Sequence, residues 1–385
     1  MMSVWDAVVG QTQVVERLRK VACASPSDIP QSWLICGAAG VGTSQVAHAF
    51  AAALESPDHG ESEDSQLSKE AREVLAGSHP DVRTLHTDGV TLSVDAVREV
   101  IGLSEQMPSI APWRIIIIED VERMLERSTN VLLKEIEEPS EHTIWLLCAS
   151  DAQQVLPTIR SRTQRVQLTT PDTQAVAEYV AAKTGADNKL ASRSARLSQG
   201  DVATALLYAT DERALSRRDE LVAGLLRMHD ASDAVLLAAM LIEEATAQAE
   251  DEVQRNVEIQ QQEFRRINGL SQSDRVPPKL RTAYNAIGKK DDVKRKVTRV
   301  SRDVLSRSLS AIASVYRDVL VVLNNAQEVA PFINQEFQSG IVQLAQRLTS
   351  SRALLCVDSI ATARRRLAGN GNATLVFEAL LCSLL

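Results

Sequence analysis

The chain predicts an α/β domain on a P-loop-type parallel sheet, then a small helical lid, then an all-helical C-terminal domain. Three observations carry this. Short apolar runs alternate with helical segments over roughly the first 170 residues, the pattern of a doubly wound parallel sheet. One run leads into a glycine-rich turn and then a helix, the setting in which a phosphate-loop pattern is credible. After about Pro171 the strand pattern stops, and Ala and Leu dominate the apolar set, which favours helix. The predicted divisions are residues 1–170, 171–211 and 212–385, the last with a charged extension at about 244–300.

Taken in order, Gln11 to Cys23 reads as an amphipathic helix, and Trp33-Leu34-Ile35-Cys36 as a buried strand. Gln45 to Leu54 is helical. Residues 55–73 hold seven acidic and two basic residues and few large apolar ones, so they read as a solvated connection or exposed helix. Val82–Leu85 is a short strand, and Ser93 caps a helix that runs to Ile101 and beyond. Arg114 to Asp120 contains four consecutive isoleucines, as expected of a central strand buried on both faces. Asn130 to Glu138 is helical and ends at Pro139, and Thr143 to Ser150 is another buried strand. In the C-terminal part, Leu305, Leu309, Ile312, Tyr316, Leu320 and Leu323 recur at spacings of three and four, one apolar face of a helix expected at a helix interface. Glu244 to Arg266 is a charged helix, Pro277-Pro278 breaks it, and Lys279 to Arg302 holds nine basic residues. This stretch reads as a hairpin-like extension, with its charge run taken as a solvated face in preference to a DNA contact.

A chain of 385 residues has room for several domains and a sizeable core. Its net charge of −8 and pI near 5.4 argue against an autonomous nucleic-acid binder, though not against one local basic face. The five cysteines form no CxxC pair, so free thiols are expected, with neither a disulfide framework nor a zinc site. The beginning lacks the charged and apolar regions of a signal peptide, and no apolar run approaches the length of a membrane span. The expectation is a soluble cytoplasmic protein with no membrane partner.

Gly37-Ala38-Ala39-Gly40-Val41-Gly42-Thr43-Ser44 has the shape of GxxxxGK[ST] with Thr43 in the lysine's place. That lysine reaches the β- and γ-phosphates as a positive charge, which a threonine cannot supply. The glycines Gly37, Gly40 and Gly42 either still cradle an anion or are simply a tight turn, and for nucleotide turnover the second reading is preferred. Glu119-Asp120, at the end of the isoleucine strand, either bind magnesium or are hydrogen-bonded structural residues; again the second is preferred.

Asn130-Val131-Leu132-Leu133-Lys134-Glu135-Ile136-Glu137-Glu138-Pro139 and Leu156-Pro157-Thr158-Ile159-Arg160-Ser161-Arg162-Thr163 complete a set with Val8-Val9-Gly10-Gln11 and the degenerate P-loop. This set resembles the clamp-loader branch of the AAA+ ATPases, clearly over 3–212, weakly over 300–385 and not over 244–299. The resemblance implies an AAA+ domain, a lid and a C-terminal collar, and a place in the DNA polymerase III holoenzyme. The implied partners are subunits of the delta and tau/gamma types, with the sliding clamp and primed DNA in the complex. It also implies that Arg162 is an arginine finger acting in trans on a neighbour's ATP site.

The departures are as informative. Thr43 replaces the lysine, Glu119-Asp120 reverses the usual Asp-Glu order, and Thr204 appears in the stretch Gly200–Ala205 where the second-sensor arginine would fall. Three altered positions imply a subunit that is no enzyme on its own, with nucleotide binding weak or absent. Many members carry a four-cysteine zinc module after the P-loop helix; residues 55–78 contain no cysteine, so no metal or other cofactor is expected.

Overall fold

The computed structural model describes every residue except 1, 64–65, 87–90, 125 and 272–273, so parts of the acidic connection and of the extension lie outside the described residues. It divides into two units, Met1–Asp211 and Glu212–Leu385.

The first unit runs β1 (Met2–Ser3), α1 (Thr12–Ala22), β2 (Ser32–Cys36), α2 (Thr43–Glu55), β3 (Glu61–Ser62), α3 (Lys69–Leu75), β4 (Val82–Leu85), α4 (Val94–Ser104), β5 (Arg114–Ile118), α5 (Glu126–Glu137), β6 (Thr143–Ala149), α6 (Pro157–Arg160) and β7 (Gln164–Gln167). Five strands form one parallel sheet in the order β4-β5-β6-β2-β7. Why the central strands β2, β5 and β6 are apolar past their first residue is visible in the packing. Trp33, Ile35, Ile115, Ile117, Ile144 and Leu146 face α2 and Phe50. Their neighbours Leu34, Cys36, Ile116, Ile118, Trp145 and Leu147 face the opposite layer with Val97, Leu132 and Ile136. With side chains alternating across the sheet and both faces covered, the body of each central strand is apolar; Ser32, Arg114 and Thr143 stand only at the strand starts, and the edge strands β4 and β7 keep Arg83, Thr84, Gln164, Arg165 and Gln167. Sheet order and layering are those of a doubly wound α/β domain.

Two expectations need correction here. The helix placed at Asn130 begins at Glu126. The acidic segment 55–73 is not a solvated connection: Glu55, Ser56 and Ser62 are buried, β3 pairs antiparallel with β1, and Ala71 and Val74 of α3 enter the main core. Its few apolar residues sit where α3 needs them, while Glu63, Lys69 and Arg72 stay exposed.

The unit ends in α7 (Thr173–Thr184), α8 (Asn188–Ser198) and α9 (Val202–Thr210). Val176, Val180, Ala191, Ala195 and Ala205 make a small core of their own, closed by Val9.

The second unit is helical: α10 (Glu212–Arg227), α11 (Ala231–Ile267), α12 (Pro278–Ala286), α13 (Lys290–Leu323), α14 (Gln338–Arg347), α15 (Ser350–Ala368) and α16 (Ala373–Ser383). Leu305, Leu309, Ile312 and Tyr316 lie buried in this unit's own core, with Leu320 and Leu323 at its margin. The apolar face read from the sequence therefore holds the unit together and is not free for another subunit. Asp318, fully buried beside this core, accepts from the Asn334 N–H at 2.8 Å and the Ile333 N–H at 3.0 Å. α11, 37 residues long, and α13, 34 residues long, continue past the core as a paired arm, so the extension is a hairpin made by lengthening two core helices. No described helix is long and apolar enough to cross a membrane.

Candidate functional site

The P-loop leaves β2 at Gly37, whose N–H donates to the Ala149 carbonyl of β6 at 3.1 Å. A side chain at Gly37 would collide with Val41 and Leu168. Gly42 caps α2 in the left-handed conformation, φ +99°, which a glycine adopts without strain. Thr43 then opens the helix, its carbonyl facing the Cys148 thiol at 3.7 Å. The turn has its anion-binding shape, with backbone N–H groups at a helix N-terminus, and lacks the lysine.

Gly40 meets something the sequence did not reveal. Its φ is +84°, and a Cβ built there would lie 2.1 Å from Cγ of Asp201. Asp201 is the N-cap of α9 and accepts from the Thr204 N–H at 2.9 Å and the Thr204 hydroxyl at 2.8 Å. The next N–H, of Val202, donates to the Gly40 carbonyl at 3.0 Å. The lid is thus docked on the phosphate loop, with a carboxylate in van der Waals range of it. The signal available in the sequence was the spacing of Asp201 and Thr204, a capping pattern.

The carboxylates are also engaged. Glu119 accepts a hydrogen bond from Ser44, so the hydroxyl that a working loop turns to magnesium is tied to the carboxylate across from it. The His48 Nε2 lies 3.1 Å from the Thr84 hydroxyl and its Nδ1 2.9 Å from the Ser44 carbonyl. Asp120 turns away in the left-handed conformation and pairs with Arg123 at 3.4 Å. Ser150, in the first-sensor place, donates to Glu122 through its N–H at 3.0 Å and through its hydroxyl. The structure therefore brings Gly37, Gly40, Gly42, Thr43, Ser44 and Glu119 together and leaves Asp120 to the side.

Arg162 stands elsewhere. It follows α6 and precedes β7, whose first residue Gln164 pairs with Trp33 while its last, Gln167, pairs with Cys36. The P-loop follows Cys36, so Arg162 lies toward the opposite end of the sheet from its own P-loop. Its guanidinium grips Glu137, the last residue of α5, through Nε at 3.1 Å and Nη2 at 3.3 Å. Nη1 donates to the Thr158 carbonyl at 3.2 Å. The residue is exposed.

Beneath the far end of α2 lies a group unrelated to these motifs. Glu55 is buried, and among the described residues neither carboxyl oxygen has a hydrogen-bond partner. Burial pushes its pKa up to about 9; the nearby Trp113 N–H, outside hydrogen-bond geometry, and the Arg114 guanidinium offset this only in part, and Asp81 adds to it. Asp81 is itself paired with Arg114 at 3.1 Å.

Residues 10–172 match the model of the family described as DNA polymerase III, delta subunit. Over 152 residues the chain is 30% identical to the delta' subunit of DNA polymerase III from Pseudomonas aeruginosa, covering 39% of this chain and 46% of that protein. The Escherichia coli delta' subunit is 30% identical over 133 residues, 34% of this chain and 40% of that protein. The tau subunit of Bacillus subtilis is 27% identical over 173 residues, 45% and 30% of the two chains. Each match spans less than half the length of the relative. Over the α/β domain, then, the chain is similar to DNA polymerase III subunits of the delta' and tau kinds.

Proposed function

We propose that the chain is the non-hydrolysing delta prime subunit of a cytoplasmic DNA polymerase III clamp loader. It assembles with delta and tau/gamma-type subunits into the complex that loads the sliding clamp on primed DNA. The observation that carries this reading is Asp201 against Gly40. A triphosphate in the loop would find no lysine at Thr43 and a carboxylate beside Gly40, and like charges about 4 Å apart repel by about 4 kcal/mol at an effective dielectric constant of about 20. With Ser44 committed to Glu119, neither phosphate nor magnesium finds its usual partner.

Arg162 supplies the other half of the role. Its exposure and its distance from its own P-loop support a role at a neighbouring subunit, where a finger is worth about 10³–10⁵ in rate. The pairing with Glu137 holds the guanidinium extended until a phosphate competes for it. Assembly has a surface available in Leu236 and Met240 of α11 and Leu375 of α16, all exposed.

Two measurements test this. The purified chain, titrated with a fluorescent ATP analogue, is expected to show no magnesium-dependent turnover; turnover abolished by disrupting Gly42 would instead make it an active ATPase. Complexes reconstituted with Arg162→Ala are expected to lose clamp- and DNA-stimulated ATP hydrolysis at unchanged subunit content.

A further inference from the structure

The arm formed by α11 and α13 has a chemical polarity that the clamp-loader likeness does not account for. On the outgoing helix, residues 243–263 carry seven acidic residues and one arginine. Beyond them, residues 268–302 carry ten Lys and Arg against three Asp. This strongly basic segment belongs to a chain of net charge −8; its first part makes the end of the arm, and from Gly288, which lies against Val257, it returns along the acidic outgoing helix to Arg302 at the core.

The segment is built, not loose. Ala249, Val253 and Val257 of α11 are buried beyond the last core residue, Ala245. Gly288 lies against Val257, a Cβ there being 3.0 Å from its Cγ1. At the tip Phe264 meets Tyr284 edge to face at 5.7 Å, and the Arg265 guanidinium stacks over the same ring at 5.1 Å. Arg265 also donates to the Ser271 and Asp274 carbonyls at 3.0 Å each. Of the three Asp residues, Asp274 accepts from the Ser271 N–H at 2.7 Å and Asp292 pairs with Arg295 at 2.5 Å. Lys279, Lys289, Lys290 and Lys294 remain on the exposed surface of this scaffold. From Ala249 to Ile267 α11 continues for some 19 residues, or roughly 28 Å.

We infer that the exposed basic end of the arm, carrying Lys279, Lys289, Lys290 and Lys294, docks on the phosphate backbone of double-stranded nucleic acid. Charge complementarity selects a polyanion. The absence of a stacking platform selects the duplex: the two aromatic side chains of the arm, Phe264 and Tyr284, are spent on each other and on Arg265, whereas single-strand binders present free aromatic rings to bases. Lysine ammonium groups without a planar fork suit phosphates and carry no base readout. The inference deepens the reading above, since it rests on a complex that meets DNA. Its test uses the chain alone and no ATP, so it fails separately from the arginine-finger reading.

The experiment is fluorescence anisotropy of the full-length chain with a labelled duplex of about 30 base pairs and with the matching single strand, over a series of salt concentrations. Lys279, Lys289, Lys290 and Lys294 are replaced together by Ala, and a control replaces the exposed Lys20, Lys69, Lys183 and Lys189. The expected result is duplex binding at least as tight as single-strand binding. The arm variant should weaken it about tenfold or more at about 50 mM salt and lower the salt slope by about 3 to 4, with the control unchanged and circular dichroism identical. Equal loss in the control, no loss in the arm variant, or a preference for the single strand overturns the inference. So does capture of polyglutamate by the arm lysines with no duplex binding, which would assign the surface to an acidic protein.

Discussion

The Asp201 carboxylate of the lid stands against Gly40 of the phosphate loop, close enough that no side chain fits between them. The loop thus lacks its lysine at Thr43 and carries a carboxylate against Gly40. Restoring the lysine alone is therefore predicted to be insufficient. Thr43→Lys should bind a fluorescent ATP analogue weakly, while Thr43→Lys with Asp201→Ser should bind at least about tenfold tighter, because Ser keeps the cap of α9 and removes the charge. Equal affinity in the two variants would show that Asp201 is no barrier. Hydrolysis should stay absent in both, with Ser44 still bonded to Glu119 and Asp120 turned to Arg123.

Arg162→Lys is predicted to restore little of the activity lost in Arg162→Ala. An ammonium makes a point contact, while the fork that spans Glu137 in this structure offers two parallel donors. Glu137→Gln should leave the folded chain unchanged and alter turnover of the reconstituted complex less than Arg162→Ala does. If Arg162→Lys matched wild type in clamp-stimulated ATP turnover, charge alone would be the contribution.

Glu55 gives a pH prediction with a definite sign. Its folded pKa, about 9, lies above the ordinary 4.5. The stability it contributes is complete below the ordinary value and is lost as pH rises through that window to the folded value. One proton corresponds to about 1.4 kcal/mol per pH unit at most. Urea unfolding of wild type should therefore show falling stability between about pH 6 and about pH 8.5, relative to Glu55→Gln. Parallel curves for the two proteins would mean that Glu55 is ionised in the folded chain.

Assembly and stability should separate in the second unit. Leu236→Asp with Met240→Asp changes exposed positions and is predicted to leave thermal unfolding nearly unchanged while reducing incorporation into the reconstituted complex. Leu309→Ala removes atoms from a fully buried position and is predicted to cost about 2–5 kcal/mol. Size-exclusion chromatography and thermal melts of the same samples distinguish them.

How legible this was varied by the range of the interactions. The parallel sheet was plain in the isoleucine run and the P-loop turn, because strands buried on both faces leave an unbroken apolar signal. The loss of Thr43's cation was equally plain, being a matter of one residue type. Asp201 was not: it lies some 160 residues from Gly40, and a local capping pattern points to no partner so far along the chain. Glu55 looked like the first residue of a solvated acidic run, since burial of a carboxyl is decided by residues distant in sequence, here in the neighbourhood of Asp81, Trp113 and Arg114. Leu309 and Ile312 were recognised as an apolar face, but periodicity says that a face is covered and not by what.

The buried stripe of α11 has a geometric consequence. Ala234, Ala238, Leu241, Ala245, Ala249, Val253 and Val257 advance by about 3.8 residues per step, more than the 3.6 of a straight helix. A stripe with that period drifts around the helix in the sense that produces a right-handed wrap of the pair. Reach and azimuth of the arm are then coupled. Removing one turn from both helices would draw the tip back by roughly 5 Å and also swing its lysines around the arm's axis. The compass direction in which Lys279, Lys289 and Lys290 point is written in the length of the helices behind them.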